Sequence, residues 1–182
     1  MSVDDLNEMQ KAIEESNLEI DMDNEKKIEE KLFNEKGEEI GVMGIEEVSS
    51  ELVLDKPVFN GPITETPNVG GNSTFAKKTI PKGVNKKYNV YWYAATVNYH
   101  FHVTVNVNKK TKKGRIVSTD SGNYFVIPPG IVGNDKVTVP QRNETAKKAA
   151  QARYTLTMVA PVSTKLWING KVKNGKFITG RN

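Results

Sequence analysis

The clearest pattern in the chain is a strict alternation of apolar and polar residues over residues 96–108. Successive side chains of a β-strand point to opposite faces of a sheet, so this pattern predicts one long strand with a buried face and a solvent-exposed face. A sheet with one wet face is typical of antiparallel architecture. The predicted buried face consists of Val97, Tyr99, Phe101, Val103, Val105 and Val107.

Shorter apolar runs downstream, separated by turn signals, predict further strands. These strands are expected near 115–119, 124–127, 136–139 and 153–159, with the basic turn 109–114 before the first of them. Two Asn-Gly pairs, 169–170 and 174–175, favour type I′ hairpin turns. Residues 145–152 have helix propensity and form either a short helix or the approach to the next strand.

Upstream, the character of the sequence changes to β at a turn predicted over Lys36-Gly37, and a strand with glycine kinks follows to Val48. Residues 51–59 are a further candidate strand, and residues 60–75 read as a long loop rich in Gly, Pro, Asn and Thr. Helix-length crossovers are missing from this pattern. We therefore expect a mainly β fold, an antiparallel β-sandwich that is immunoglobulin-like or barrel-like.

The first third of the chain has a helical pattern instead. Leu6, Met9 and Ile13 recur at helical spacing after a capping Asp4 or Asp5, and a second helix is predicted over 25–33. The apolar stripes are thin, so this segment either docks on a surface or is partly disordered. We divide the chain into an acidic helical or partly disordered extension, residues 1–33, and a β-sandwich domain, residues 34–182.

The net charge of +4 conceals a strong asymmetry. Residues 1–60 carry 6 lysines and 18 acidic residues, a net charge of −12, whereas residues 61–182 carry 20 basic and 4 acidic residues, a net charge of +16. Such asymmetry predicts a charged partner, or docking of the acidic N-terminal segment on the basic body. Nucleic acid is a poor fit because Lys outnumbers Arg and no nucleic-acid-binding motif is present. The predicted anion-binding residues are Lys86, Lys87, Lys109, Lys110, Lys112, Lys113 and Arg115.

His100 and His102 would lie on the wet face of the long strand, two residues apart, and both imidazoles could reach one ion. A zinc site needs three or four protein ligands, and the chain has no third histidine and no cysteine. Asp120 is the best remaining ligand. The alternative, which the ligand shortage favours, is that the histidines are ordinary residues of a solvated strand.

The aromatic run over 88–93 (Tyr88, Tyr91, Trp92, Tyr93) could stack on bases or sugars. The strong alternation just downstream favours a core strand instead. The sequence carries no nucleophile elbow, no HExxH motif and no phosphate-cradling glycine loop, and its lack of cysteine removes disulfides and thiolate chemistry. We expect a protein that is not an enzyme and uses no cofactor.

The order of motifs resembles a family of small secreted proteins of Gram-positive (Firmicute) bacteria that is known only as a domain of unknown function. The resemblance rests on NYHFHVTVNVN, KGRIVSTD, ARYTLTMV and the closing VSTKLWINGKVKNGKFI, preceded by NEKGEEIGVMGIEEV, and it covers residues 34–180. It implies a β-sandwich-like fold and export after removal of a signal peptide, and it supplies no catalytic residues.

No run of apolar residues in the sequence is long enough to cross a bilayer. Together these patterns predict a secreted or cell-surface binding protein whose basic β-domain contacts an anionic cell wall or membrane headgroups. One alternative is a metal-dependent enzyme or metal-binding protein centred on His100 and His102. The other is a bacteriocin-like or immunity-type factor.

Overall fold

The computed structural model describes residues 2–53, 83–160 and 163–180, which form one helix and eleven β-strands. The predicted strand at 51–59, beyond Val53, and the predicted loop at 60–75 lie outside the described residues. The elements, in chain order, are α1 (Val3–Glu15), β1 (Asn17–Asp21), β2 (Lys27–Phe33), β3 (Glu39–Val53), β4 (Gly83–Tyr93), β5 (Val97–Asn108), β6 (Gly114–Thr119), β7 (Asn123–Val126), β8 (Ile131–Gln141), β9 (Ala150–Ala160), β10 (Thr164–Lys173) and β11 (Lys176–Gly180).

The strands form two antiparallel sheets, which confirms the mainly β prediction. The five-stranded sheet has the order β1-β11-β10-β9-β8. The six-stranded sheet has the order β2-β3-β4-β5-β6, and β7 pairs with the first part of β5 on the same side as β6. Chain neighbours are therefore mostly spatial neighbours, as expected for short antiparallel connections.

A single hydrophobic core lies between the two sheets, which gives a sandwich-like arrangement. Tyr88 of β4 stacks on Phe177 of β11 across this core, with ring centroids 4.4 Å apart. Tyr154 of β9 lies against Tyr99 and Phe101 of β5 at 6.2 Å and 6.1 Å. The buried face predicted for β5 is confirmed at five of its positions, Val97, Tyr99, Phe101, Val103 and Val105, which are at most 1% exposed; Val107 is partly buried.

One of the two predicted Asn-Gly turns is confirmed. Asn174 and Gly175 connect β10 to β11 with φ values of 51° and 79°, the positive φ pair that a type I′ turn requires. Asn169 and Gly170 lie inside β10 instead, where a Cβ on Gly170 would stand 2.7 Å from the Phe177 ring. Because Gly170 has no side chain, the Phe177 ring can pack closely against the backbone of β10. The helix considered for 145–152 does not form, and β9 begins at Ala150.

Helix α1 is confirmed, but its cap is Ser2 and neither Asp4 nor Asp5, and the second predicted helix is wrong. Ser2 caps α1 through a reciprocal pair of hydrogen bonds with Asp5, and Leu6, Met9 and Ile13 are buried. Residues 27–33 form strand β2. The four-residue spacing between Ile28 and Leu32, on which the helix prediction rested, fits a strand face as well as a helix face.

The acidic N-terminal segment contributes a strand to each sheet. β1 pairs with β11, from Asn17 opposite Gly180 to Asp21 opposite Lys176, and β2 pairs with β3. The predicted boundary between residues 33 and 34 falls at the end of β2, an edge strand of the six-stranded sheet. In the described part of the chain, no helix has the length and apolarity needed to span a membrane.

The two ends of the fold differ in the elements they gather. At one end, which we call the helix end, lie the first turn of α1, the turn 34–38 and the turn 94–96. At the opposite end, the lysine end, lie the turns 109–113 and 174–175 and the segment 142–149. Strand β5 runs from the helix end to the lysine end.

Candidate functional site

The β5–β6 turn presents four lysines at the lysine end. Lys109, Lys110, Lys112 and Lys113 are all exposed. The turn is internally braced, because the N–H groups of Lys110 and Thr111 donate to the Asn108 side-chain oxygen, at 2.9 Å each, and the Lys112 N–H donates to the Asn108 carbonyl at 2.8 Å. The backbone that carries the lysines is therefore held in one shape.

A buried carboxylate ties this turn to the rest of the lysine end. Glu144 is 7% exposed, and it accepts the Gly114 N–H at 2.7 Å and the Asn174 N–H at 3.2 Å. The following residues are anchored by Lys173, whose ammonium donates to two backbone carbonyls at 2.9 and 3.0 Å. The adjoining Lys147 and Lys148 are exposed. The sequence alone does not place these two lysines beside the turn, since only the fold brings the two segments together.

Three of the seven predicted anion-binding residues are engaged within the protein. Lys112 pairs with Asp23 at 3.0 Å, Lys87 pairs with Asp120 at 2.5 Å, and Lys86 pairs with Glu47 at 3.0 Å while also donating to the Met22 carbonyl. The Lys86–Glu47 pair is shielded, with side chains 17% and 7% exposed.

The other four predicted residues have no carboxylate within ion-pair distance among the residues that the structure describes. They are Lys109, Lys110, Lys113 and Arg115, and all of them are exposed. Exposed cations on a braced turn can accept an external anion without first breaking an internal pair. These four residues, together with Lys112, Lys147 and Lys148, form the candidate anion-binding surface.

The histidine pair lies on the outer face of the six-stranded sheet, as the alternation predicts. The His100 and His102 rings are 5.8 Å apart in an edge-on arrangement. Asp120 approaches His102, but the distance from Nδ1 to its Oδ2 is 3.8 Å, and the same oxygen is held by Lys87. Within the described ranges no group of three or more His, Asp or Glu residues is placed to hold a metal ion.

The surroundings of both histidines favour the uncharged imidazole, because they lower the pKa of each side chain. Burial lowers the pKa of His100 below its usual 6.5, and the neighbouring His102 lowers it further. Burial and the Lys87 ammonium lower the pKa of His102, with Asp120 opposing them. A neutral imidazole offers one hydrogen-bond donor and one acceptor, so the uncharged pair contributes polar, uncharged groups to this face.

The aromatic run of β4 divides between the two faces of the sheet. Tyr88 and Trp92 are in the core, as the alternation favours. Tyr91 lies on the outer face yet is only 1% exposed, because its ring covers Gly44, where a Cβ would stand 2.3 Å from the ring. Its hydroxyl donates to Glu29, and its ring stacks on Tyr93 at 4.7 Å.

Comparisons with known proteins give a structural neighbour. The chain is similar to a hypothetical protein, lmo2686, from Listeria monocytogenes EGD-e, with 18% sequence identity and a TM-score of 0.45, over 88% of this chain and 96% of that chain. The sequence matches no family model and no curated protein.

Proposed function

We propose that this chain is a non-enzymatic binding protein whose lysine end contacts an anionic cell-surface polymer or membrane. The observation that carries the proposal is a group of exposed cations, Lys109, Lys110 and Lys113 on a braced turn and Arg115 at the start of β6, which form no ion pair with any carboxylate in the described part of the chain. The resemblance to a secreted Gram-positive family with a β-sandwich supports an extracellular site of action.

The test is binding to teichoic-acid-bearing cell walls and to phosphatidylglycerol vesicles over a range of salt concentrations. Exposed charge pairs are screened by salt, so retention falls as ionic strength rises. Replacing Lys109, Lys110 and Lys113 with Ala removes three surface cations, each contributing about 1 kcal/mol near an anionic surface, and weakens binding about 100-fold. The matched control removes three exposed lysines elsewhere, Lys36, Lys136 and Lys165.

If binding depends only on net charge, the two triple variants lose affinity equally, and a specific surface at the lysine end is ruled out. If the native chain is not retained by either material, or retention is independent of salt, the proposal fails.

The acidic N-terminal segment acts on this surface through Asp23, which holds Lys112 at 3.0 Å. In Asp23→Asn the carboxylate charge is lost, so Lys112 is available to an external anion and binding strengthens severalfold. Asp4→Asn changes the net charge equally at the helix end and serves as the control. Equal effects of the two substitutions would show that Asp23 does not mask the surface.

A further inference from the structure

The candidate anion-binding surface continues into the outer face of the six-stranded sheet. Cross-strand pairs between β4 and β5 form the central strip of this face, from the lysine end upward: Asn85 with Asn106, Lys87 with Thr104, Asn89 with His102, and Tyr91 with His100. Apart from Lys87 and the buried Tyr91, these side chains are amides, a threonine hydroxyl and imidazoles whose surroundings favour the uncharged form. Such groups exchange hydrogen bonds with hydroxyl groups and have no strong preference for charged ligands.

Exposed aromatic rings stand at the far end of the same face. Phe125 of β7 lies opposite Asn98 of β5 and is 60% exposed, and Tyr93 at the end of β4 is 41% exposed. The Asn98 side chain accepts the Ala94 N–H at 2.7 Å, which fixes it beside the β4–β5 turn. Exposed rings next to side-chain amides offer a flat apolar surface and hydrogen bonds together, the combination that a sugar ring requires.

The separation of cations from apolar groups favours a polymer over a bilayer. Surfaces that insert into membranes combine apolar side chains that enter the bilayer with basic side chains close to them at the headgroup level. Here Phe125, Ile127 and Ile131 are 60%, 43% and 56% exposed, all at the helix end, whereas the lysine turn follows the opposite end of β5. The eight residue steps from Asn98 to Asn106 span about 26 Å. A membrane that takes up the apolar side chains at the helix end leaves the lysine turn at the far end of β5, whereas an extended polymer that lies along β5 reaches both regions.

We infer that the outer face of the six-stranded sheet binds an anionic glycan, a polymer in which sugar rings carry acidic groups. The cations at the lysine end pair with the acidic groups. The amides and imidazoles of β4 and β5 hydrogen-bond to sugar hydroxyls, and Tyr93 and Phe125 stack on ring faces. This inference rests on the proposed function and names its ligand class.

The test compares two polyanions that both carry carboxylates. Polygalacturonate contains sugar rings and polyglutamate does not, and phosphatidylglycerol vesicles serve as the membrane probe. The double variant Tyr93→Ala/Phe125→Ala weakens binding of polygalacturonate about tenfold, because it removes two stacking surfaces, and leaves polyglutamate binding unchanged. Tyr93→Phe retains the ring and retains binding. Ile131→Ala/Val159→Ala, which truncates two exposed apolar residues of the five-stranded sheet, leaves binding of both polymers unchanged.

The outcomes separate this inference from the proposed function. Equal loss for both polymers, or no loss for polygalacturonate, overturns the glycan inference while the lysine variants can still uphold anion binding. A loss confined to the vesicles overturns it in favour of a membrane. If the Lys109/Lys110/Lys113 variant binds both polymers as the native chain does, the proposed function fails with it.

Discussion

Lys86 and Lys110 belong to the same basic body, but their surroundings give them different roles. Lys86 lies beside Glu47, whose side chain is 7% exposed, and its ammonium also meets the Met22 carbonyl. Lys86→Met leaves that carboxylate shielded from water without its counter-charge, which costs about 3–5 kcal/mol of unfolding free energy. Lys110→Met, at an exposed position, stays within about 0.5 kcal/mol of the native value. Urea unfolding of the two variants measures the difference.

The double variant Lys86→Met/Glu47→Leu isolates the pair. Replacing both partners with apolar groups removes the unpaired charge, so most of the lost stability returns. A single Lys86 substitution that costs no more than the Lys110 substitution would show that the pair does not stabilise the fold.

The histidine pair makes the stability of the protein depend on pH below about 6.5, a range above that in which the carboxylates titrate. The pKa of each histidine is lower in the folded protein than the ordinary 6.5, so below pH 6.5 the unfolded chain binds more protons and stability falls with falling pH. Carboxylates with lowered pKa, such as Asp21 and Glu29, titrate below about pH 4.5, so they affect stability only at lower pH. Thermal unfolding at pH 7.5 and 5.5 detects the loss, and His100→Asn/His102→Asn abolishes the difference. A native chain equally stable at both pH values contradicts the prediction.

At the level of elements, the predictable strands were those whose pattern excludes a helix. Strand β5 alternates over its whole length, and no helical periodicity fits that pattern. Strand β2 buries only Leu32 fully, and its partner Ile28 stands four residues away, a spacing common to helix and strand. Pairing with β3 makes this segment a strand. The pattern within residues 27–33 alone does not show that a pairing strand is available.

Helix α1 is positioned by an interaction with the open edge of β10. Strand β11 pairs with β10 only over Lys171–Lys173. Nearer the start of β10, the Gln10 side-chain amide hydrogen-bonds to the Trp167 backbone, as a neighbouring strand would. Its oxygen accepts the Trp167 N–H at 2.8 Å, and its nitrogen faces the Trp167 carbonyl at 3.4 Å. Gln10→Ala leaves these groups unpaired and costs about 1–3 kcal/mol in urea unfolding. Asn7→Ala, at an exposed position of the same helix, is the control; equal costs would assign no role to the edge contact.

At the level of the whole molecule, the basic turn could be predicted from adjacent residues, whereas the outer face could not. Lys109 to Lys113 are contiguous in the sequence, and a tight turn exposes them wherever the strands lie. Phe125 and Asn98 are neighbours only because β7 pairs with the first part of β5. That pairing depends on long-range register, so composition and periodicity do not specify which side chains share the face.

The N-terminal segment is expected to be part of the folding unit, because β1 and β2 are edge strands of different sheets. Deleting residues 1–33 removes both strands and several buried apolar side chains of the shared core: Leu6, Met9, Ile13, Leu18, Ile20, Met22 and Leu32. At about 1.5–3 kcal/mol each, their burial is comparable to or larger than the whole stability of a typical domain, about 5–15 kcal/mol. The truncated chain therefore loses its cooperative thermal transition, whereas deleting residues 1–16 removes only α1 and lowers the transition temperature. A chain lacking residues 1–33 that unfolds cooperatively near the native temperature would show that residues 34–182 fold independently, with the acidic segment as an appendage.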